Sequence, residues 1–361
     1  MPVEFIGFVG NQNGSEIIPQ TGPAIDLSHI ETAAKLHENA GFDRVLFAFH
    51  STSPESILVA QHAGSVTRRL GLMIAHRPGF NAPTILARQL ATLDHITAGR
   101  VAVHVITGGS DVELQADGDH TTKAERYSRT SEYLDIVRSE WTATAPFDYD
   151  GRFYRVNGAF SVVKPFRPEG IPVYFGGSSD EAIAVAGRHA DIYALWGETY
   201  EQVRETVSRV RAAAAPHNRS PRFSLSLRPI IADTEAEAWA RADRILEQAR
   251  AQQEASGTAR PREVPNEGSR RLLAAAAQGT RIDKRLWTGI AALSGARGNS
   301  TSLVGTPDQV AEAMLDYHRL GISTFLIRGF DPIGDAFQYG RDLIPRVRAL
   351  VAAEDSRAAA A

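Results

Sequence analysis

Eight short apolar runs, helical patterns between nearly all of them, and a length of 361 residues that one large domain can fill predict an α/β fold, a closed (β/α)8 TIM barrel. The apolar runs fall at 3–9, 44–49, 70–75, 101–107, 171–175, 191–195, 223–231 and 324–327. Helical periodicity covers 26–40, 54–66, 83–96, 124–141, 180–189, 200–215, 235–252 and 307–320. An open doubly wound sheet uses fewer strands, so eight favour closure.

Two connections exceed the usual length and read as insertions after strands four and seven of a single barrel domain, 1–361. In 147–168, Asp150-Gly151 between alternating apolar residues predicts a β-hairpin. Residues 256–305 are rich in arginine, glycine and alanine, with a short helical pattern at 272–277. Their weak apolar periodicity reads as a mobile cover that orders over a ligand, or else as a solvated excursion without a role. The alanine-rich tail after about 351 is expected to fray.

A net charge of -3 and the lack of a basic run with interleaved aromatics argue against nucleic acid and point to a small-molecule partner. With no cysteine, disulfides, thiolate metal sites and thiol nucleophiles are excluded together. The first residues lack a basic segment followed by an apolar one, and no apolar run approaches membrane-spanning length, so a soluble cytoplasmic protein is expected. His-x-His and His-Glu-x-x-His are absent, which argues against a metal site. Also absent are Gly-x-Ser-x-Gly, a phosphate-binding Gly-Lys-Ser/Thr loop and Gly-x-Gly-x-x-Gly.

Residues 174–180, Tyr-Phe-Gly-Gly-Ser-Ser-Asp, carry an apolar strand into paired glycines and then into helix-starting residues. Gly176 and Gly177 permit a turn closed to other residues, and Ser178, Ser179 and Asp180 sit where a helix leaves its first amides unpaired. Such a turn can cradle a phosphate, or simply cap a helix. Polar residues collect at the other strand ends: Asn11, His50, Ser51, Ser53, His76, Arg77, Thr107, Gly108, Trp196, Arg228 and Arg328. His104, the only polar side chain in 101–106, faces either the barrel interior or the helices, and a hydrogen-bonded core histidine is the plainer reading. No self-sufficient acid, base or nucleophile set emerges, so a cofactor should carry the chemistry, and a phosphorylated flavin suits the cradle.

These residues bring a family into view. Arg-Gln-Leu-Ala-Thr-Leu-Asp at 88–94, Gly-Arg-Val at 99–101, Val-Ile-Thr-Gly at 105–108, Ala-Glu-Arg-Tyr at 124–127 with Glu132, the 174–180 turn, Leu-Trp-Gly-Glu at 195–198 and Leu-Val-Gly at 303–305 span nearly the whole chain. On them the chain resembles the bacterial luciferase-like flavin-dependent monooxygenases, and within these the alkanesulfonate monooxygenase family. The resemblance implies reduced FMN supplied by a separate NAD(P)H-dependent flavin reductase, O2 as co-substrate, and oxidation of a small anionic organosulfur compound to an aldehyde and sulfite. A homodimer or homotetramer is expected.

By the same resemblance Gly177, Ser178 and Ser179 hold the flavin phosphate with Tyr127 alongside. Lys123 stands where the family usually has histidine and still suits a phosphate. Thr107 and Gly108 lie near the ring, where His104 replaces an asparagine. Trp196, Arg297 and Arg228 are assigned to the reacting substrate, and Asn11, His50, Ser53, Arg328 and Phe330 to its binding. Arg228 replaces a histidine, Ser226 an arginine, Ser53 a cysteine of some members and Phe330 a tyrosine, which points to a shifted or different anion. Arg228 and Arg297 are expected to grip that anion from two sides, unless Arg228 pairs internally with a carboxylate such as Glu4 or Glu55. Open alternatives are a sulfone or other FMN monooxygenase, a deazaflavin-dependent oxidoreductase, and a noncatalytic flavin-binding subunit.

Overall fold

The computed structural model describes residues 3–257 and 266–360. Eight parallel strands close into a barrel: Glu4–Phe8, Arg44–Phe47, Gly71–His76, Val101–Val105, Val173–Gly176, Ile192–Trp196, Arg222–Leu227 and Ile322–Ile327. Each is a neighbour of the next along the chain, and the last pairs with the first through Glu4↔Thr324, Phe5↔Phe325 and Ile6↔Leu326. Gly71–His76 and Ile322–Ile327 are buried at every position, so their apolar stretches at 71–75 and 325–327 show no alternation with polar residues.

The expected helices form between the strands, and polar caps fix their starts. Asp26 accepts from the His29 amide before Leu27–Asn39. Thr122 and Glu125 form a capping box before Lys123–Thr142, as Thr306 and Gln309 do before Pro307–Arg319. No described helix is long and apolar enough to cross a membrane.

The chain divides into two compact units. One comprises Met1–Val45, Ala194–Arg209 and Arg222–Ala361, and the other Leu46–Tyr193 and Val210–Pro221. In the first, the run expected as one strand at 223–231 breaks after Leu227, because Pro229 has no amide to donate. Ile230–Ile231 instead joins a second sheet, where it pairs with Ser302–Gly305. That sheet continues through Leu286–Trp287 to Arg281–Ile282, and the long helix Glu235–Ala255 packs on it through Ala242, Ile245 and Ala249.

The insertion read as a mobile cover or a solvated excursion is largely built of regular elements, and its short helical pattern at 272–277 falls in one of them. It holds helices Glu267–Gln278 and Gly289–Ser294 besides these strands, and its residues 258–265 lie outside the described residues. The alanine-rich tail expected to fray continues the last helix, Ile344–Ala360, in keeping with alanine's helix propensity. In the second unit the predicted hairpin forms from Phe147–Asp150 and Arg155–Ala159. Glu132 holds it by accepting from the amides of Arg152, Phe153 and Tyr154.

Candidate active site

In the second unit the strand Val173–Gly176 runs into Gly177, whose φ of 138° is open only to glycine. A Cβ there would stand 2.8 Å from the Ala182 methyl and 3.3 Å from the Tyr127 hydroxyl. The carbonyl of Gly177 accepts from the buried Tyr193 hydroxyl, which pins the turn from below. Ser179 caps Asp180–His189 by accepting from the Ala182 amide at 3.4 Å, so its hydroxyl is already engaged. No described residue bonds the Ser178 hydroxyl. Lys123 is exposed at the first position of its helix. The Glu181 carboxyl is held below its ordinary value by its own amide, then by Ser179, with Lys123 adding a smaller pull. The cradle thus combines a close backbone approach, a helix start, one open hydroxyl, one tyrosine hydroxyl and a lysine.

His104 faces the barrel interior. His76 reaches Tyr133 of the outer helix Lys123–Thr142 at 3.1 Å, so the preceding Ala75 points inward, and His104 is the register partner of Ala75 and of Tyr174. Burial lowers His104 to about 4, and its Nδ1 has no hydrogen-bond partner among the described residues. It is a neutral imidazole with one unmatched nitrogen, not a satisfied core histidine. Thr107 and Gly108 follow its strand, and Gly108, at φ 90°, passes where a Cβ would meet the Leu114 side chain at 2.7 Å.

Glu113 is a residue that the sequence reading missed. It accepts from Arg77 Nη2 at 2.6 Å and the Ser51 amide at 3.2 Å, with His50 Nδ1 at 3.3 Å. Burial would raise this carboxyl, but Arg77 outweighs it and holds it low. The loops after strands two and three are thereby tied to the short helix Asp111–Ala116. His50, expected to touch substrate, belongs to that tie, and the Ser53 amide donates to the His50 carbonyl at 3.0 Å. A carboxylate shortly after Gly108-Gly109-Ser110 is the signal that could have exposed it.

In the first unit Arg228 is only 1% exposed. Its Nη2 donates to Glu16 Oε2 at 2.7 Å and to the Gly329 carbonyl at 3.0 Å, and its guanidinium lies 3.6 Å over the Phe330 ring. Arg328 Nη2 donates to the other oxygen of Glu16 at 3.0 Å. Burial would raise Glu16, yet Arg228 and Arg328 together lower it to about 2. The internal carboxylate is thus Glu16, on the long connection after the first strand. Glu4 lies 3.6 Å from Arg222, and Glu55 caps Ser56–Val66.

Arg228 thus takes the internal pairing, with Glu16 in place of Glu4 or Glu55. Arg297 is exposed on the turn formed by Gly295 and Ala296, both at positive φ, and no described ion pair includes it. Asn11 is half-buried, and its carbonyl accepts from the Asp26 amide at 2.8 Å. Trp196 packs with Leu272, Ala291 and Ala296, and a Cβ on Gly268 would stand 2.8 Å from its ring. The helix Glu267–Gln278 over Trp196 is anchored by Arg271, which meets both oxygens of the buried Glu198 at 2.8 and 2.9 Å.

A parallel barrel with a glycine turn and a helix start at the carboxyl end of its fifth strand has the arrangement of a barrel enzyme. The chain belongs to the luciferase-like monooxygenase family, whose model matches residues 3–324. Among solved structures it is similar to riboflavin lyase with modified FMN and riboflavin, at TM-score 0.79 and 19% identity over 97% of this chain and 92% of that one. It is similar also to EDTA monooxygenase from Chelativorans sp. BNC1, at 0.77 and 19% over 97% and 94%. A long-chain alkane monooxygenase gives 0.77 and 18% over 97% and 92%. At these identities the shared property is the barrel.

Proposed function

We propose that this chain is a two-component monooxygenase that receives reduced FMN from a separate NAD(P)H-dependent flavin reductase. It uses O2 to oxidise a small anionic organosulfur compound, an alkanesulfonate, to an aldehyde and sulfite. Of the two oxygen atoms, one enters the aldehyde and the other leaves as water. Reduced FMN, when bound, supplies the two electrons this requires.

The observation that carries the reading is the Gly177 turn, where the place of a missing Cβ lies against the Tyr127 hydroxyl and Ser178 follows before the start of Asp180–His189. These are the groups a phosphate monoester needs: donors, a close backbone and a positive helix end. Lys123 adds a point charge, and Ser179 holds the helix start in place. The neutral His104 can donate or accept one hydrogen bond inside the barrel without bringing a charge. Its neutrality suits an uncharged ring better than an anion. Trp196 presents an apolar wall under its helix.

The test is oxygen-dependent sulfite release from a panel of sulfonates and sulfones with reduced FMN supplied. Sulfite from a sulfonate is the expected outcome. Release from sulfones alone moves the substrate. Turnover with reduced deazaflavin in place of FMN, independent of oxygen, overturns the monooxygenase reading.

A further inference from the structure

Glu16 bridges two guanidinium groups within the first unit, one carboxylate oxygen to each. The pairing leaves donors over. Nη1 and Nε of Arg228 and Nε of Arg328 are buried without an acceptor among the described residues. A cavity opens beside them, walled by Phe8, Ser15, Gly329 and Tyr339 as well as the two arginines. One buried donor without an acceptor can be tolerated, but three along one cavity wall mark a place where a ligand brings oxygens.

The charges around this cavity can be counted. Two guanidinium groups and one carboxylate leave a single positive charge. His37, which also lines the cavity, is neutral, because burial lowers it to about 4 although the Ala33 carbonyl, 2.7 Å from its Nδ1, pulls the other way. Asp335, behind Gly329 and Phe330, is matched by Arg241. The ring of Phe330 covers one flat face of Arg228, and Nη1 and Nε are the in-plane donors left for a ligand.

We propose that Glu16 is the specificity-determining residue of an anion pocket. By cancelling one of the two guanidinium charges, it tunes the pocket to a ligand group with one negative charge, a sulfonate or carboxylate held by the open donors of Arg228 and Arg328. A dianion such as sulfate has the same oxygens but finds half the charge it needs. The inference rests on the substrate reading above for the class of ligand, and its test needs no flavin.

Calorimetric titration of the flavin-free full chain with methanesulfonate and with sulfate, at one low ionic strength, reads the preference. The unaltered protein should bind methanesulfonate at least about tenfold more tightly than sulfate, a margin of about 1.4 kcal/mol. Glu16→Gln should tighten both and bring sulfate level or ahead. Equal binding by the unaltered protein, or an unchanged preference in folded Glu16→Gln, overturns the proposal.

Should Glu16→Gln fail to fold, Arg328→Gln makes the pocket neutral and should weaken methanesulfonate at least about tenfold with circular dichroism unchanged. Retained affinity there overturns the proposal equally. Titrating the same samples with reduced FMN separates the two readings. Flavin binding without anion selectivity defeats the Glu16 proposal alone, and anion selectivity without flavin binding defeats the monooxygenase reading alone.

Discussion

The Tyr127 hydroxyl lies 3.3 Å from the point where a Cβ on Gly177 would stand, and the Ala182 methyl lies nearer still, at 2.8 Å. A side chain at 177 would fill the space that the proposed function gives to a phosphate and force a φ of 138° on a residue that resists it, at a cost of about 1–3 kcal/mol. Gly177→Ala should therefore weaken reduced FMN at least about tenfold, while riboflavin, which has no phosphate, is far less affected. Anaerobic fluorescence titration measures both. Ser178→Ala should share the flavin defect alone, whereas Ser179→Ala, which removes a cap, should also lose about 1 kcal/mol of stability. Equal losses for FMN and riboflavin would remove the phosphate from this turn.

That turn was legible in the sequence because its chemistry is local: strand, glycines, cap and helix follow one another within a few residues. All eight barrel strands were legible for a similar reason, since each carries a short apolar stretch, even Arg222–Leu227 with its alternating serines. The second sheet was not. Its strands at Ile230–Ile231, Arg281–Ile282 and Leu286–Trp287 have two residues each and depend on Ser302–Gly305 between them and on the helix Glu235–Ala255 packed against the sheet. Glu16 was invisible for the same reason, as its partners Arg228 and Arg328 lie 212 and 312 residues away along the chain. The Arg271–Glu198 pair, 73 residues apart, explains how a segment of weak apolar periodicity is nonetheless held.

His104 should leave a mark on acid stability. Its folded value is lowered by burial from 6.5 to about 4, so as pH falls below 6.5 the unfolded chain takes up a proton that the folded chain does not. Stability is thus fully present above 6.5 and declines toward 4. His76, lowered to about 3 by burial, acts in the same direction. Each such group steepens the decline by up to about 1.4 kcal/mol per pH unit. Urea unfolding at a series of pH values should show the fall, and His104→Asn should flatten it. A slope unaltered by that change would mean that His104 is charged in the folded protein.

The helix Glu267–Gln278 should depend on one arginine. Arg271 meets both oxygens of Glu198 and reaches Glu205 at 3.0 Å and the Gln202 carbonyl at 3.2 Å. Burial raises the Glu198 carboxyl even with Arg271 opposing it, so removing the cation leaves a costly buried group. Arg271→Ala should cost about 3 kcal/mol and speed amide exchange across 267–278, together with a red shift of Trp196 emission as its cover loosens. Exchange as slow as in the parent would show that packing on Trp196 and Ala291 suffices to hold the helix.

Arg228 and Arg297 should behave as different kinds of residue. Arg228 is buried, engaged by Glu16 and Gly329, and stacked on Phe330, so Arg228→Ala leaves Glu16 to Arg328 alone and opens a cavity together. A loss of about 2–3 kcal/mol in stability is expected, less than for a fully enclosed pair because Glu16 keeps some contact with water. Arg297 is exposed and outside any described ion pair, so Arg297→Ala should change stability by no more than about 0.5 kcal/mol. Whatever Arg297 contributes must then appear in turnover. Arg297→Lys, which keeps the charge but loses the planar fork, should lower sulfite release with flavin affinity unchanged. Chemical denaturation and steady-state assays on the same preparations decide the matter: Arg297→Ala as unstable as Arg228→Ala would make it a structural arginine, and full activity in Arg297→Lys would leave it without a part in recognition.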